Sequence, residues 1–263
     1  MTIPHVLSTI TTLCALAAAL PAQHATGFLD RRVTVGALTM KYQVYVPNTY
    51  DGRRAIPVIL FMHGSGERGS DGLKQTQVGL PAQIRLHRDW FDDAIVVMPQ
   101  CPDDSVFRGA VAQAAFAALE KSVREFHGDR ERLYATGLSM GAYGVWQQIV
   151  DHPGVFAAAV AVSGGLTPSA DMANLYVSVK GDDPFAYVAQ ATRGLPVWIF
   201  HGGQDDVVPT VQSRQLVAAM KAAGSSPHYT EYADLGHGAW DRAFGDEELW
   251  TWLFAQRLTR RSR

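Results

Sequence analysis

The stretch YATGLSMGAYG, residues 134–144, largely decides how this chain is expected to fold. An apolar run precedes Ser139 and a helix-like run follows it, with Gly137 and Gly141 two residues to either side. A strand that turns sharply into a helix needs glycine at such places, because a Cβ atom there would force the two elements apart. The spacing predicts that Ser139 is a nucleophile on a strained turn; the alternative is a hydroxyl that only caps the helix.

Apolar runs alternate with segments of helical period along most of the chain. Runs typical of strands buried on both faces lie at residues 57–63, 94–99, 132–137, 156–164 and 195–202, followed by a strand-like segment at 228–232. Helix-period segments lie at residues 110–126, 140–150, 211–223 and 247–258. Residues 40–47 alternate like a half-buried strand, with 33–38 as its hairpin partner. The pattern predicts an α/β protein with a mostly parallel, doubly wound sheet behind an antiparallel N-terminal hairpin.

A serine nucleophile needs a base, and the chain offers nine histidines. His237 lies in the loop LGHGAWD, just after the last strand-like segment, and follows Ser139 in the order serine, acid, histidine. The carboxyl ends of parallel strands meet at one edge of a sheet, so this loop can reach the serine. His63 and His201 each begin an HG pair at a strand end, where packing or turn geometry accounts for them. We expect His237 to be the base.

The acid that orients the base should lie between Ser139 and His237 in the chain. The loop HGGQDDVVP follows a buried run and offers Asp205 and Asp206. Asp205 is nearer the strand end and is the better placed to point into the site, whereas Asp206 suits an exposed turn. Three other aspartates of the interval are weaker candidates, because no apolar run delivers them to the sheet edge: Asp182, Asp183 and Asp234.

An oxyanion site needs two N–H groups aimed at one point. The residue after the nucleophile, Met140, supplies the first of them. The second is expected from the loop HGSG after an early strand, with the N–H of Ser65 as first choice and that of Gly64 as second. The alternative is an ordinary glycine turn.

Five motifs together carry a resemblance to a known family: HGSGERG, GLSMGAYGVW, LPVWIFHGGQDDVVP, GHGAWD and ELWTWLFAQ. The chain resembles secreted serine esterases of the α/β-hydrolase superfamily, in the group of peptidases and carboxylesterases near feruloyl esterases and polyhydroxybutyrate depolymerases. The resemblance implies the α/β-hydrolase fold and a catalytic triad of Ser139, Asp205 and His237. Ala142 departs from the pattern where a second glycine is expected, which should adjust helix packing only.

The substrate pocket is less clearly marked. The interval from Gly164 to Gly194, where many lipases insert a lid, is short and polar, so we expect a minimal lid and an open site. Such a site suits short acyl groups, or esters that project from a carbohydrate or aryl group. Trp240 and Tyr143 are candidate pocket walls or merely packing residues. Glu67 and Arg68 are expected to brace the oxyanion loop.

The N-terminal segment resembles a secretory signal. Residues 6–20 are apolar or hydroxylic and Pro21-Ala22 follows, although no Lys or Arg precedes the run. We expect a signal peptide at residues 1–22, a single domain at 23–263, and a secreted or periplasmic protein. The alternative is an N-terminal helix of the mature fold. Removal of Cys14 with the signal would leave Cys101, a rival nucleophile that lacks a paired histidine nearby in sequence.

Composition narrows the range of partners. The net charge of -2 over 263 residues provides no electrostatic basis for binding nucleic acid or an anionic membrane. The metal and nucleotide motifs HExxH, paired CxxC and GxxxxGK[ST] do not occur in the sequence, so we expect neither a metal nor a cofactor. We expect a small-molecule or polysaccharide-linked ester as substrate. A serine peptidase of the same fold and a non-catalytic binding protein remain the alternatives, and the oligomeric state is left open.

Overall fold

The computed structural model describes residues 24–168 and 172–258. Its single sheet has the strand order β1-β2-β4-β3-β5-β6-β7-β8. The strands are β1 Gly27–Val35, β2 Leu38–Val46, β3 Ile56–Met62, β4 Ile95–Pro99, β5 Gly128–Leu138, β6 Ala158–Val162, β7 Val197–Gly202 and β8 His228–Tyr232. β1 and β2 pair antiparallel with each other, as do β2 and β4, and all other neighbours are parallel. The predicted mostly parallel sheet with an antiparallel N-terminal hairpin is therefore confirmed.

Helices cover both faces of the sheet. They are α1 Leu80–Leu86, α2 Ala110–Glu125, α3 Met140–Asp151, α4 Pro184–Ala191, α5 Val211–Ala222, α6 Trp240–Phe244 and α7 Glu247–Ala255. Helices α2 to α5 pack in one hydrophobic core and α1, α6 and α7 in the other. Strand β3 serves both cores: Val58, Leu60 and Met62 face the first, and Ile59 and Phe61 face the second. This explains why its sequence is apolar at every position.

The N-terminal hairpin differs from its predicted boundaries. The segment predicted as its first strand, residues 33–38, was wrong in position, because the strand spans Gly27–Val35 and residues 36 and 37 form the turn. Gly36 has φ +57°, a left-handed conformation typical of two-residue hairpin turns and unsuited to a ladder. The turn therefore occurs at Gly36, two residues before the predicted end of the strand.

The sheet order places the loops after β3 and β5 side by side. From β3 the chain moves outward to β4 and then returns to β5 on the opposite side of β3. Such a reversal opens a crevice at the carboxyl ends of the two strands, which is where open α/β sheets bind ligands. The loop HGSGERG leaves β3 here and Ser139 follows β5.

The expected signal peptide, residues 1–22, lies outside the described residues. Within the described ranges, no helix has both the length and the apolar character needed to cross a bilayer. The sequence predicts no large lid in the interval between β6 and α4. The structure describes residues 163–168 and 172–183 of this interval, and they form turns and irregular segments.

Candidate active site

Ser139 sits on a strained turn between β5 and α3. Its φ of 49° and ψ of -121° lie in a region that residues with a side chain rarely adopt. The turn is held in place by the Ser139 N–H, which donates to the Val162 carbonyl of β6 at 2.9 Å. A Cβ at Gly141 would lie 1.9 Å from the Met62 carbonyl oxygen, and one at Gly137 would lie 2.5 Å from the Gly141 oxygen. Both glycines are therefore required by the close approach of strand and helix, as expected.

His237 and Asp205 reach Ser139 from two other loops. The Nε2 atom of His237 lies 2.9 Å from Ser139 Oγ, and its Nδ1 atom lies 2.8 Å from Asp205 Oδ2. Asp205 follows β7 and His237 follows β8, so all three side chains project from the carboxyl edge of the sheet. Three loops distant in sequence thus place a hydroxyl, an imidazole and a carboxylate in one hydrogen-bonded line.

The carboxylate of Asp205 is fully buried and has donors on both oxygens. Oδ1 accepts from the Val207 and Val208 N–H groups, each at 2.9 Å. Burial alone would raise the pKa of Asp205, but hydrogen bonds from His201, His237 and the Val208 N–H outweigh it and hold the pKa well below its usual range. The carboxylate is therefore ionised at neutral pH and can hold His237 with its proton on Nδ1.

Asp206, the neighbouring acid, is exposed, and within the described chain no hydrogen bond to its side chain is found. The two adjacent aspartates therefore occupy different environments, and Asp205 is the one in contact with His237.

The loop after β3 lies against the serine. A Cβ at Gly64 would lie 3.7 Å from Ser139 Cβ and 3.1 Å from Glu67 Oε2. Burial raises the pKa of Glu67, although the backbone N–H groups of Gly64 and of Glu67 itself oppose the shift. Because the Glu67 carboxylate lies close to Gly64, this arrangement favours Ser65 over Gly64 as the partner of Met140 in an oxyanion site.

Hydrogen bonds within the loop after β3, and one from the segment after β4, hold this loop in place. His63 Nδ1 lies 2.6 Å from the Gly64 carbonyl, and His63 Nε2 accepts from the Cys101 N–H at 2.9 Å. Arg68 Nε donates to the Ser65 carbonyl at 3.0 Å. Cys101 itself is fully buried, and burial raises the pKa of its thiol to about 12. A protonated, inaccessible thiol is a poor nucleophile, so the rival role for Cys101 loses support.

The buried His63 predicts that the fold weakens in mild acid. Burial lowers the pKa of His63 to about 4, below the ordinary 6.5, although the hydrogen bond to Gly64 opposes the shift. As the pH falls, the unfolded chain therefore binds a proton at His63 before the folded chain does, which favours unfolding. The stability contributed by neutral His63 is complete above pH 6.5 and is lost as the pH falls to 4. We expect a loss of about 3 kcal/mol in the free energy of unfolding over this window.

Urea unfolding of the wild type and of His63→Asn at several pH values measures this effect. The variant should be less stable at pH 7.5 but should show a shallower decline toward acid. His228→Gln, at an exposed position, is the control and should keep the wild-type decline. Equal slopes in the wild type and His63→Asn would show that His63 does not carry the effect.

The two candidate pocket residues differ in placement. Trp240 is half-buried, and its ring meets the His237 imidazole edge to face, with centroids 5.3 Å apart. Tyr143 is buried, and its hydroxyl donates to the Thr167 carbonyl at 3.2 Å, which favours the packing interpretation. Trp240 is thus the candidate wall beside the base, while Tyr143 anchors the loop after β6.

One contact of the site was missed by sequence reasoning. His201, read as a packing or turn residue, has its Nε2 atom 3.0 Å from Asp205 Oδ2. The available signal was its spacing, four residues before the acid and at the penultimate position of β7, the strand that Asp205 follows. The sequence alone does not reveal which way that imidazole points.

The sheet, the glycine-flanked serine turn and the convergence of three loops define a protein of the α/β-hydrolase fold. Within that fold the chain belongs to the prolyl oligopeptidase family, which it matches over residues 108–258, more than half of its length. The resemblance inferred from the motifs, to a group of esterases and peptidases of this fold, is confirmed.

Two solved structures and one fungal protein illustrate the relationship. A thermostable esterase is 29% identical with a TM-score of 0.73, over 88% of this chain and 63% of that one. A ferulic acid esterase is 16% identical with a TM-score of 0.66, over 87% of this chain and 98% of that one. An uncharacterized secreted protein of Arthroderma benhamiae is 25% identical over 228 residues, 77% of this chain. The chain spans only 23% of the length of that fungal protein.

Proposed function

We propose that this protein is a serine hydrolase that cleaves carboxylic esters through an acyl-enzyme on Ser139. The observation that carries the proposal is the line of hydrogen bonds from Ser139 Oγ through His237 to the buried Asp205 carboxylate, at 2.9 and 2.8 Å. A serine hydroxyl is a poor nucleophile by itself and needs a base whose tautomer is held by an acid. These three groups supply that combination.

The proposed reaction runs in two halves. Ser139 Oγ attacks the ester carbonyl carbon while His237 Nε2 takes the hydroxyl proton, and Asp205 stabilises the imidazolium that forms. The N–H groups of Met140 and Ser65 hold the oxygen that becomes negative. His237 then gives the proton to the leaving alcohol. Water then attacks the acyl carbon while His237 Nε2 takes a proton from it. The bond between that carbon and Ser139 Oγ breaks, the carboxylic acid leaves, and His237 returns the proton to Oγ.

Two features favour an ester over a peptide bond. The thermostable esterase is 29% identical over most of this chain. The described segments between β6 and α4 also form no helix or strand that could build a deep specificity site over Ser139. An open site supplies little binding energy that could be used to distort an amide, whereas hydrolysis of an ester needs less stabilisation of its transition state. We propose short acyl esters, and esters linked to carbohydrate or aryl groups, as the substrates.

A serine peptidase is the second candidate, because the family to which the chain belongs is named for its oligopeptidases. A panel of p-nitrophenyl acetate, methyl ferulate, acetylated xylan and chromogenic peptides separates the two. We expect hydrolysis of one or more esters at a kcat/KM at least tenfold above that of any peptide, and its loss in Ser139→Ala. Faster cleavage of a peptide would replace the ester proposal with the peptidase one. No hydrolysis of any substrate would favour a non-catalytic binding protein.

We also propose that the protein is exported. The apolar run at residues 6–20 supports this, as does the similarity to a fungal protein described as secreted. Expression of the full chain in a bacterial host, followed by N-terminal sequencing of the periplasmic fraction, tests it. A new N-terminus near residue 23 is the expected result; retention of Met1 in the cytoplasm would contradict it.

A further inference from the structure

A second histidine contacts the same carboxylate oxygen of Asp205 as His237 does. His201 lies in β7 and is fully buried. Its Nε2 atom is 3.0 Å from Asp205 Oδ2, the same oxygen that accepts from His237 Nδ1 at 2.8 Å. The acid is therefore in contact with two imidazoles, of which only His237 reaches Ser139.

The contacts of His201 define its tautomer. Its Nε2 atom also lies 2.9 Å from the Val208 carbonyl, and both this oxygen and the carboxylate can only accept a hydrogen bond. Nε2 must therefore carry the hydrogen. Nδ1 lies 2.7 Å from the Oγ atom of Ser213, a buried residue of α5. In the neutral imidazole Nδ1 is an acceptor, so the Ser213 hydroxyl donates to it.

Two serine–histidine pairs therefore share the carboxylate of Asp205. Ser139 donates to His237, which donates to Asp205; Ser213 contacts His201, whose Nε2 atom lies 2.9 Å from the Val208 carbonyl and 3.0 Å from Asp205 Oδ2. The second set is buried and cannot meet substrate. It can act only through the carboxylate that the two sets share.

We propose that His201, held by Ser213, is a positioning residue that fixes the orientation and the charge distribution of the Asp205 carboxylate. The proposal rests on the proposed function, since it assigns His201 a part in the same reaction. Oδ2 accepts from His237 Nδ1 and lies 3.0 Å from His201 Nε2, whose hydrogen it shares with the Val208 carbonyl, while Oδ1 accepts from the N–H groups of Val207 and Val208. N–H groups around both oxygens restrict rotation of the carboxylate and stabilise its negative charge.

This stabilisation sets how strongly Asp205 holds the imidazolium form of His237. Removing the donor from His201 leaves more negative charge on Oδ2, so the imidazolium is stabilised and releases its proton only at higher pH. Other titratable groups face this cluster: Glu231 of β8, the ladder partner of His201, and Tyr143 of α3. Glu231 is engaged by Arg214 at 2.6 Å. Neither group is altered by substitution of His201.

Three variants test the role. His201→Leu removes the donor, while His201→Gln keeps an amide N–H that can reach Asp205. Ser213→Ala removes the hydroxyl that contacts His201 Nδ1, and Ser122→Ala is its control, a buried helical serine that donates to the Ala118 carbonyl. The measurement is the pH profile of kcat and kcat/KM on the best ester of the panel, with thermal melting to establish folding.

In His201→Leu we expect kcat to fall about tenfold or more and the acid limb of the profile to move up by about half a pH unit. His201→Gln should restore most of both. Ser213→Ala should shift the limb in the same direction by less, and Ser122→Ala should match the wild type. If His201→Leu does not fold, the comparison of Ser213→Ala with Ser122→Ala decides.

An acid limb that stays at the wild-type pH in both His201→Leu and Ser213→Ala would reduce His201 to a packing residue and overturn the proposal. The same would follow if His201→Gln were no better than His201→Leu. This failure is distinct from failure of the proposed function, which would appear as ester hydrolysis that persists in Ser139→Ala.

Discussion

Asp205→Asn is expected to lower kcat about 10⁴-fold while leaving the fold intact. The amide oxygen will take the place of Oδ1, which accepts from the Val207 and Val208 N–H groups. The NH₂ group must then face His237 Nδ1, where it forces that nitrogen to accept, while the His201 Nε2–H keeps the Val208 carbonyl as its acceptor. The proton of the neutral imidazole moves to Nε2, which can no longer take the proton of Ser139. Steady-state kinetics on the best ester of the panel measure the loss.

Asp206→Asn is the matched control, one residue away and exposed. It should keep kcat within about twofold of the wild type, since surface substitutions away from a site have small effects. A large loss in Asp206→Asn together with near-normal activity in Asp205→Asn would reassign the acid to Asp206.

Gly141→Ala should prevent or nearly prevent folding. The added Cβ would lie 1.9 Å from the carbonyl oxygen and 2.4 Å from the carbonyl carbon of Met62, in β3. These are backbone atoms at the centre of the sheet, so they cannot move aside as a flexible side chain would. We expect a loss of at least about 3 kcal/mol in the free energy of unfolding, at the upper end for overpacking. Urea unfolding of the soluble fraction measures it.

Gly66→Ala is the control for this substitution. Gly66 has no heavy atom within 4 Å of an added Cβ and does not need a left-handed backbone. Its stability should change by less than about 0.5 kcal/mol. Near-wild-type stability in Gly141→Ala would mean that α3 lies farther from β3 than described.

The parts of the fold with a strong repeating pattern were predictable from the sequence. Strands β3 to β8 and helices α2, α3, α5 and α7 were expected near their observed positions, because continuous apolar runs and helical periods extend over several turns or strand residues. Helices α1, α4 and α6 were not expected. They span five to eight residues, too few to establish a period.

The residues brought together at the sheet edge were predictable because each follows a strand. Ser139, Asp205 and His237 were selected by chain order and loop position, and their side chains lie in contact. The direction in which an individual side chain points was not predictable. His201 therefore read as a packing residue, and Tyr143 could equally have lined a pocket or packed inside.

The same limit applies to the oxyanion site. The sequence ranked Ser65 before Gly64 by position in the loop alone. The preference gains a physical reason only from the Glu67 carboxylate, which lies close to Gly64. Contacts between a side chain and its own loop depend on local backbone angles that no periodicity reveals.

One labelling experiment decides whether Ser139, His237 and Asp205 act as a unit. A fluorophosphonate reacts with a serine only when a base activates it and an oxyanion site receives its oxygen. Intact mass and peptide mapping should show one phosphonyl group on Ser139 in the wild type, none in Ser139→Ala, and much slower labelling in His237→Ala. Absence of labelling in the folded wild type, or a label on another residue, would contradict the proposed site.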